Sequence, residues 1–453
     1  MNSSSSQQGL MRSLSLREAT ALNMIDMVGI GPFIVLPIVI QSMHGPHAII
    51  AWLAGALLAI VDGAIWAELG AAMPQAGGSF VFLRESYGRS RWGSMMSFLF
   101  IWQTVFQAPL VIASGAIGFS QYFSYLIPVD GLMQKAISGS VVILIFGLLY
   151  RNIKQIGRIS VFMWIAVIGT MLWLIIGGAL HFDMDLAFGG MNEGPQLFSS
   201  IFFVGLGHAM LKTVYSYLGY YNVCHLGGEI ANPQKVIPKS IFISIIGIAI
   251  LYCSMHLSIV GVIPWQEVQK SQFIVSTFIE TLHGPLAAQI ATGLILFIAF
   301  ASLFSVTLGY SRIPYAAAKE GAFFKMFASV HPKEQFPHIS LMVLCGIAFI
   351  FSLLFRMSEI ISAIVAMRAL VQFIGGAIGL ILLRKRKGKT FFPWKMPLYP
   401  IPVILAIFIW FGLFLSTGVY ALMGIGFISI GIIVFLVMAR KNASFPFSPT
   451  QSS

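Results

Sequence analysis

The chain has 453 residues, 58% of them hydrophobic and only 9% charged, against roughly 25% charged in ordinary soluble domains. That composition excludes a water-soluble globular domain. The formal net charge of +12 would suit a nucleic-acid binder only if the cations ignored the apolar segments, and they do not.

Apolar runs long enough to cross a hydrocarbon core of about 30 Å as helices recur along the whole length. They predict spans at 19–41, 48–71, 92–126, 136–150, 159–180, 197–230, 237–263, 285–310, 339–355, 360–383, 401–419 and 422–438. All are expected to be helical, because an open sheet edge has no hydrogen-bond partners in lipid. A short polar stretch, Ser3 to Gln8, precedes the first run, which no small-residue cleavage site follows. It reads as a retained helix, not a signal peptide.

With twelve spans, every second loop should be cytoplasmic and rich in Lys and Arg. Arg12 and Arg17 precede the first span, Arg84, Arg89 and Arg91 follow the second, Arg151, Lys154 and Arg158 the fourth, and Lys235 and Lys239 the sixth. The alternation continues with Arg312, Lys319, Lys325 and Lys333, then Arg384, Lys385, Arg386, Lys387, Lys389 and Lys395, then Arg440 and Lys441. The opposite loops carry Asp183, Asp185, Glu193 and Glu267, with only Lys135, Lys270 and Arg356 as bases. The expectation is a multi-pass protein of the plasma (inner) membrane with both termini cytoplasmic. Lipid surrounds it, and no nucleic-acid partner is implied.

The first span contains Val28-Gly29-Ile30-Gly31-Pro32-Phe33, and the sixth contains Tyr215-Ser216-Tyr217-Leu218-Gly219-Tyr220-Tyr221-Asn222. Glycine and proline at mid-membrane weaken a helix. Either stretch alone fits a kink with close packing, whereas two at similar depth, five spans apart, point to interrupted helices whose free backbone groups meet a bound solute. The predicted organisation is an N-terminal tail 1–18, a first inverted repeat 19–180, a second 197–384, two further helices at 399–440 and a tail 441–453. A half-helix beginning near Gly31 offers N–H groups to a carboxylate, and the carbonyls ending the preceding half attract an ammonium. The solute that fits is a zwitterion, and Lys212 is the only Lys or Arg beside either break.

Three motifs carry a family resemblance. They are Val28 to Phe33, the run Trp66-Ala67-Glu68-Leu69-Gly70-Ala71-Ala72-Met73-Pro74 with Gly77-Gly78-Ser79-Phe80-Val81-Phe82-Leu83, and Gly227-Gly228-Glu229-Ile230-Ala231-Asn232-Pro233 with Ile237-Pro238-Lys239-Ser240. Over nearly its whole length the chain resembles the amino acid-polyamine-organocation (APC) transporter superfamily, and most closely its L-type amino acid transporters and polyamine-uptake group. The resemblance implies an all-α, LeuT-like membrane fold of about twelve transmembrane helices. Its core would be a 5+5 inverted repeat with broken helices 1 and 6, followed by helices 11 and 12. It implies that Gly29, Ile30 and Gly31 meet the substrate carboxylate, with Val28 beside them in the binding segment, that backbone from Tyr215 through Ser216, Tyr217 and Leu218 to Gly219 receives the amino group, and that Tyr215 is the gate. Two departures stand out. The fifth span has no charged residue near Val167, where many bacterial relatives resemble one another in carrying a lysine, and Pro32 stands where a small flexible residue is commoner.

Ionisable groups at membrane depth are functional candidates. Asp26, Asp62, Lys212 and His225 are the coupling candidates. Asp26 or Asp62 could pair with Lys212 or relay a proton, or form a static pair holding helices together. Arg368 is expected to pair with a carboxylate or carbonyl, and Glu68 and Glu229 to bind backbone or basic loop residues. Gln103, Thr104, Gln107, Ser302 and Ser305 are polar candidates for the side-chain pocket, with Gln103, Gln107 and Ser305 foremost. None of these is an acid, which favours neutral amino acids over polyamines, while Asp26 keeps a cationic substrate open.

Cys224, Cys253 and Cys345 show no metal or disulfide spacing, and the nine histidines are scattered. No catalytic residue, metal site or cofactor is predicted beyond a coupling H+ or Na+. With no HExxH or GxSxG motif, an enzyme is not expected. A non-transporting amino acid sensor on the same scaffold is the remaining alternative. The external loops hold no cysteine for a disulfide-linked accessory subunit, so none is supported.

Overall fold

The computed structural model describes residues 10–189, 196–354, 360–441 and 445–447. Glu193, Arg356 and the Ser3 to Gln8 stretch lie outside the described residues. The helices are α1 (Leu16–Met27), α2 (Gly31–Met43), α3 (Ala48–Ala72), α4 (Ser79–Tyr87), α5 (Gly93–Phe123), α6 (Gly131–Leu149), α7 (Ile153–Leu180), α8 (Met184–Phe188), α9 (Ser200–Tyr217) and α10 (Asn222–His225). They continue as α11 (Pro233–Val260), α12 (Trp265–Val268), α13 (Ile274–His283), α14 (Pro285–Lys319), α15 (His338–Leu354), α16 (Ile360–Arg368), α17 (Gly375–Lys387), α18 (Ile401–Ser416) and α19 (Val419–Lys441). Every predicted apolar segment is helical over most of its length. Eight described helices are long and apolar enough to cross a membrane, and the bent pair α1 and α2 adds a ninth. Helices α15 and α18 are apolar but shorter. The protein is therefore an all-α, multi-span membrane protein.

Local chemistry sets the helix ends. The Ser15 N–H donates to Glu18 Oε2 at 2.6 Å at the start of α1, half of a capping box. Asp130, Asn152 and Ser199 each accept a first-turn N–H of the helix that follows. Pro32 and Pro233 occupy the first turns of α2 and α11, where their missing N–H costs nothing. Helices α4 and α13 are too short and polar to span, so apolar runs alone did not reveal them.

Lipid-facing stripes are visible on the outer helices. On α7, Phe162, Ile165, Leu172 and Ile176 are exposed, and on α11 so are Ile243, Ile246 and Ile250. Large apolar side chains at helical spacing facing outward are stable only against hydrocarbon. Inside, α3 lies along α11, α2 along α9, and α1 against α7, α11 and α14.

The basic loops come together on one face. Arg84 pairs with Glu320 at 2.9 Å, and Arg384 pairs with Glu68. Asn152 donates to Glu334, and the Arg12 guanidinium to the Pro74 carbonyl. The segment before α1 is strapped over the same face, with the N–H groups of Ser13 and Leu14 both donating to the Glu229 carbonyl and the Ala231 N–H to the Leu14 carbonyl. On the opposite face the Asp183 N–H donates to the Gly261 carbonyl, and Tyr125 to Glu280. Several of the loops that are rich in Lys and Arg thus contact one another or the segment before α1.

Candidate functional site

Both suspected interruptions are real. Helix α1 ends at Met27 and α2 begins at Gly31, with a 47° bend between them. Gly29 N–H folds back on the Met27 carbonyl, and the first helical bond of α2 runs from Ile34 N–H to the Ile30 carbonyl. The N–H groups of Gly31 and Phe33 therefore precede that ladder, and Pro32 has none. Helix α9 ends at Tyr217, Leu218 is extended, and Gly219 adopts a φ of 129° that a side chain would strain. The single turn α10 follows.

The two breaks touch. A Cβ on Gly219 would lie 2.9 Å from the Met27 nitrogen and 3.0 Å from Asp26 Cγ, so only glycine lets the backbones meet. A Cβ on Gly31 would lie 3.3 Å from the Tyr215 ring. Side chains hold the crossing. Asn23 Oδ1 accepts the Val223 N–H at 2.9 Å, while Asn222 Nδ2 donates to the Ser305 hydroxyl at 2.9 Å. The end carbonyls of α1 are partly occupied, since Leu22 accepts from Ser305, Asp26 from Ser302 and Met27 from Tyr252.

A cavity opens at this crossing. Its walls include Asp26, Gly29, Ile30, Gly31, Tyr215, Ser216, Leu218, Gly219 and His225, all singled out from the sequence. Tyr221, Asn222, Ser302, Tyr310 and Arg368 complete its polar lining. Arg368 is 2% exposed, donates to Gln372 Oε1 at 3.0 Å and to the Tyr221 hydroxyl, and lies over the Tyr221 and Phe373 rings. It forms no ion pair among the described residues; of the carboxylate or carbonyl expected for it, it has the amide carbonyl of Gln372, with the Tyr221 phenol as its second partner. His225 is also 2% exposed, and neither ring nitrogen has a hydrogen-bond partner among the described residues.

The other candidates lie elsewhere. Val28 is buried in the core, and Tyr217 packs against Trp52 and Tyr252, away from the cavity. Gln107 touches the site indirectly by donating to the Tyr310 hydroxyl at 3.0 Å, and Ser305 serves the crossing itself. Both side-chain polar atoms of Gln103 are buried without partners. Thr104 bonds back to the Phe100 carbonyl.

The proposed Lys212 pairing is corrected. Asp62 accepts Trp66 Nε1 at 2.8 Å, the Tyr220 hydroxyl at 2.5 Å and Trp410 Nε1 at 3.1 Å. Three neutral donors engage both of its oxygens, and Lys212 forms no ion pair with it or with Asp26 among the described residues. Glu68 and Glu229 behave as expected: Glu68 takes a two-pronged bond from Arg384 plus the Met396 N–H, and Glu229 takes one from Arg312 at 2.7 and 2.9 Å.

Comparison with known proteins fits this architecture. The family described as amino acid permease matches residues 14–446. The serine/threonine exchanger SteT of Bacillus subtilis is 26% identical over 88% of this chain and 89% of its own. The methylthioribose transporter of the same organism is 24% identical over 98% and 96%, and its branched-chain amino acid permease BcaP is 24% identical over 97% and 95%. The chain belongs to the amino acid permease family within the APC superfamily, and is a membrane transporter, not an enzyme.

Proposed function

We propose that this permease is a secondary active transporter that moves amino acids across the plasma (inner) membrane by alternating access, with both termini cytoplasmic. The observation that carries the reading is the contact between the two helix breaks, which open onto one cavity. A substrate carboxylate fits the N-terminus of α2, where the N–H groups of Gly31 and Phe33 are free of the helical ladder. The ammonium fits the backbone from Tyr215 to Gly219, of which Tyr215, Ser216, Leu218 and Gly219 line the cavity. Tyr215, whose ring abuts Gly31, is suited to close over the bound molecule.

The mutual packing of the breaks supports two repeats, 19–180 and 197–384, rocking about the crossing to expose it to each side in turn. Asp26 is the proposed proton carrier. It lines the cavity, lies beside Gly219 and has no side-chain partner among the described residues. Relatives acting on hydroxyl amino acids, a thiosugar and branched-chain amino acids leave the side-chain preference to this cavity's own chemistry. Asp26 would suit a cationic amine, but Arg368 shares the cavity and repels a polyamine. That favours amino acids over polyamines.

The test is uptake of a radiolabelled amino acid panel into proteoliposomes of the purified protein, with proton and sodium gradients imposed separately, then with internal substrate alone. Accumulation driven by the proton gradient is expected. Saturable binding with no uptake in any arrangement would make the protein a sensor, and absence of binding by any amino acid would remove the proposed site.

A further inference from the structure

The cavity has two chemically different ends. Around the breaks, Asp26, Gly29, Gly31, Ser216, Gly219 and Ser302 form one contiguous set, linked by the Ser302 hydrogen bond to the Asp26 carbonyl and the close approaches at the three glycines. Arg368, Tyr221, His225 and Tyr310 form a second. The Arg368 guanidinium sits 5.0 Å from the Tyr221 ring centroid, the Tyr221 and His225 rings are 5.8 Å apart, and those of His225 and Tyr310 6.3 Å.

An arginine stays charged in every protein environment, and a buried charge needs a counter-charge and hydrogen bonds to its donors. The other buried guanidinium among the described residues, Arg312, has both, because Glu229 accepts from its Nε and one Nη while Ser311 accepts from the other. Arg368 has neither in full: the carboxylate whose charge reaches it, Asp26 in the same cavity, forms no ion pair with it among the described residues. Its partners are a phenol and a primary amide, its Nη1 has no hydrogen bond among the described residues, and the nearby His225 nitrogens are unpartnered. Donors left over on a buried cation at the wall of a cavity are a fit for an acceptor carried by the ligand.

We infer that Arg368, with His225 and Tyr221 beside it, forms an anion subsite at the side-chain end of the cavity, so that the preferred substrates are dicarboxylic amino acids. This rests on the proposed zwitterion site at the breaks and departs from the neutral side chain expected from sequence. The α-carboxylate and ammonium occupy the first set, and the distal carboxylate meets the guanidinium at its unpartnered Nη1, in a charge-assisted hydrogen bond.

The test compares isosteres. Equilibrium binding and uptake of L-glutamate against L-glutamine, and of L-aspartate against L-asparagine, compare a distal carboxylate with an amide of the same shape and need no variant. The wild type is expected to favour the acid by about tenfold or more, the scale of a charge-assisted pair. Arg368→Gln should lower the acid-over-amide binding ratio about tenfold or more, to near one, and Arg368→Lys, which keeps the charge but not the planar guanidinium, should retain part of it. Equal or weaker binding of the acids by the wild type overturns the subsite while sparing the zwitterion site. So does a loss in Arg368→Gln that is the same for acid and amide, which would make Arg368 a support for Tyr221. Failure of every amino acid to bind overturns both readings.

Discussion

Asp62 and Asp26 lie within apolar helices on either side of the same crossing, and their surroundings are opposite. Asp62 is 1% exposed, and its two oxygens accept from Trp66 on its own helix, Tyr220 in the second break and Trp410 on α18. Asp26 opens onto the cavity and has no side-chain hydrogen bond among the described residues. Depth in the membrane therefore does not separate a structural acid from a working one. What separates them is whether the fold supplies donors. Glu68 and Glu229 fall with Asp62, each held by a guanidinium, and all three tie helices together at or below the crossing.

If donors make an acid structural, removing them should cost stability in proportion to the charge stranded. Arg312→Met leaves Glu229, which is wholly buried, without its guanidinium. A loss of about 3–5 kcal/mol is expected from an uncompensated buried charge, read as a large fall in the thermal unfolding midpoint of the purified protein. An unchanged midpoint would detach Glu229 from the structural group.

Gly219→Ala tests the crossing on the Asp26 side. The residue needs a positive φ, which costs about 1–3 kcal/mol in a non-glycine residue of this kind, and the new methyl would overlap the Met27 nitrogen and Asp26. Both stability and uptake should fall, with uptake falling further because the breaks are pushed apart. Uptake at the wild-type level would mean the breaks need not meet.

Asp62→Asn is the milder structural change. An amide has the same shape, but its NH₂ must face a donor where an oxygen stood, at a cost of about 1–3 kcal/mol for the mismatched buried bond. The unfolding midpoint should drop while transport per folded molecule keeps its pH profile. A flattened profile would put Asp62 among the coupling residues after all.

Much of this was legible in the sequence. The apolar runs gave the helices, because backbone groups in lipid have no other solution, and glycine with proline at mid-depth marked both breaks. Charge alternation marked the loops that form the ion-paired face. The cavity wall was harder. Tyr215 and Ser216 line the cavity while Tyr217 turns toward Trp52, a 100° step that needs the helix rotation to be known. Gln103 and Ser305 were polar at the right depth but lie off the cavity for the same reason. Arg368 announced itself as an intramembrane charge, yet its direction depends on the π-helical turn Ala369–Ile374 that follows, whose extra residue shifts the face presented by the rest of the helix. No periodicity in the sequence marks that turn.

Asp26→Asn should have the smallest effect on stability and the most informative effect on function. The Asp26 carboxylate has no hydrogen-bond donor among the described residues and faces the Arg368 charge only across the cavity, so replacing it with an amide should leave the stability within about 1 kcal/mol of wild type. That is the reverse of the Asp62→Asn result, and a large drop would erase the distinction between the two acids. In transport, an amide cannot take up and release a proton as the cavity alternates between sides. Substrate binding should survive, and the dependence of uptake on external pH should disappear, leaving gradient-independent exchange. An unchanged pH profile would sink the proton-carrier role. Loss of binding together with loss of transport would instead make Asp26 the partner of the substrate ammonium, moving that group from the Tyr215 to Gly219 backbone onto the end of α1.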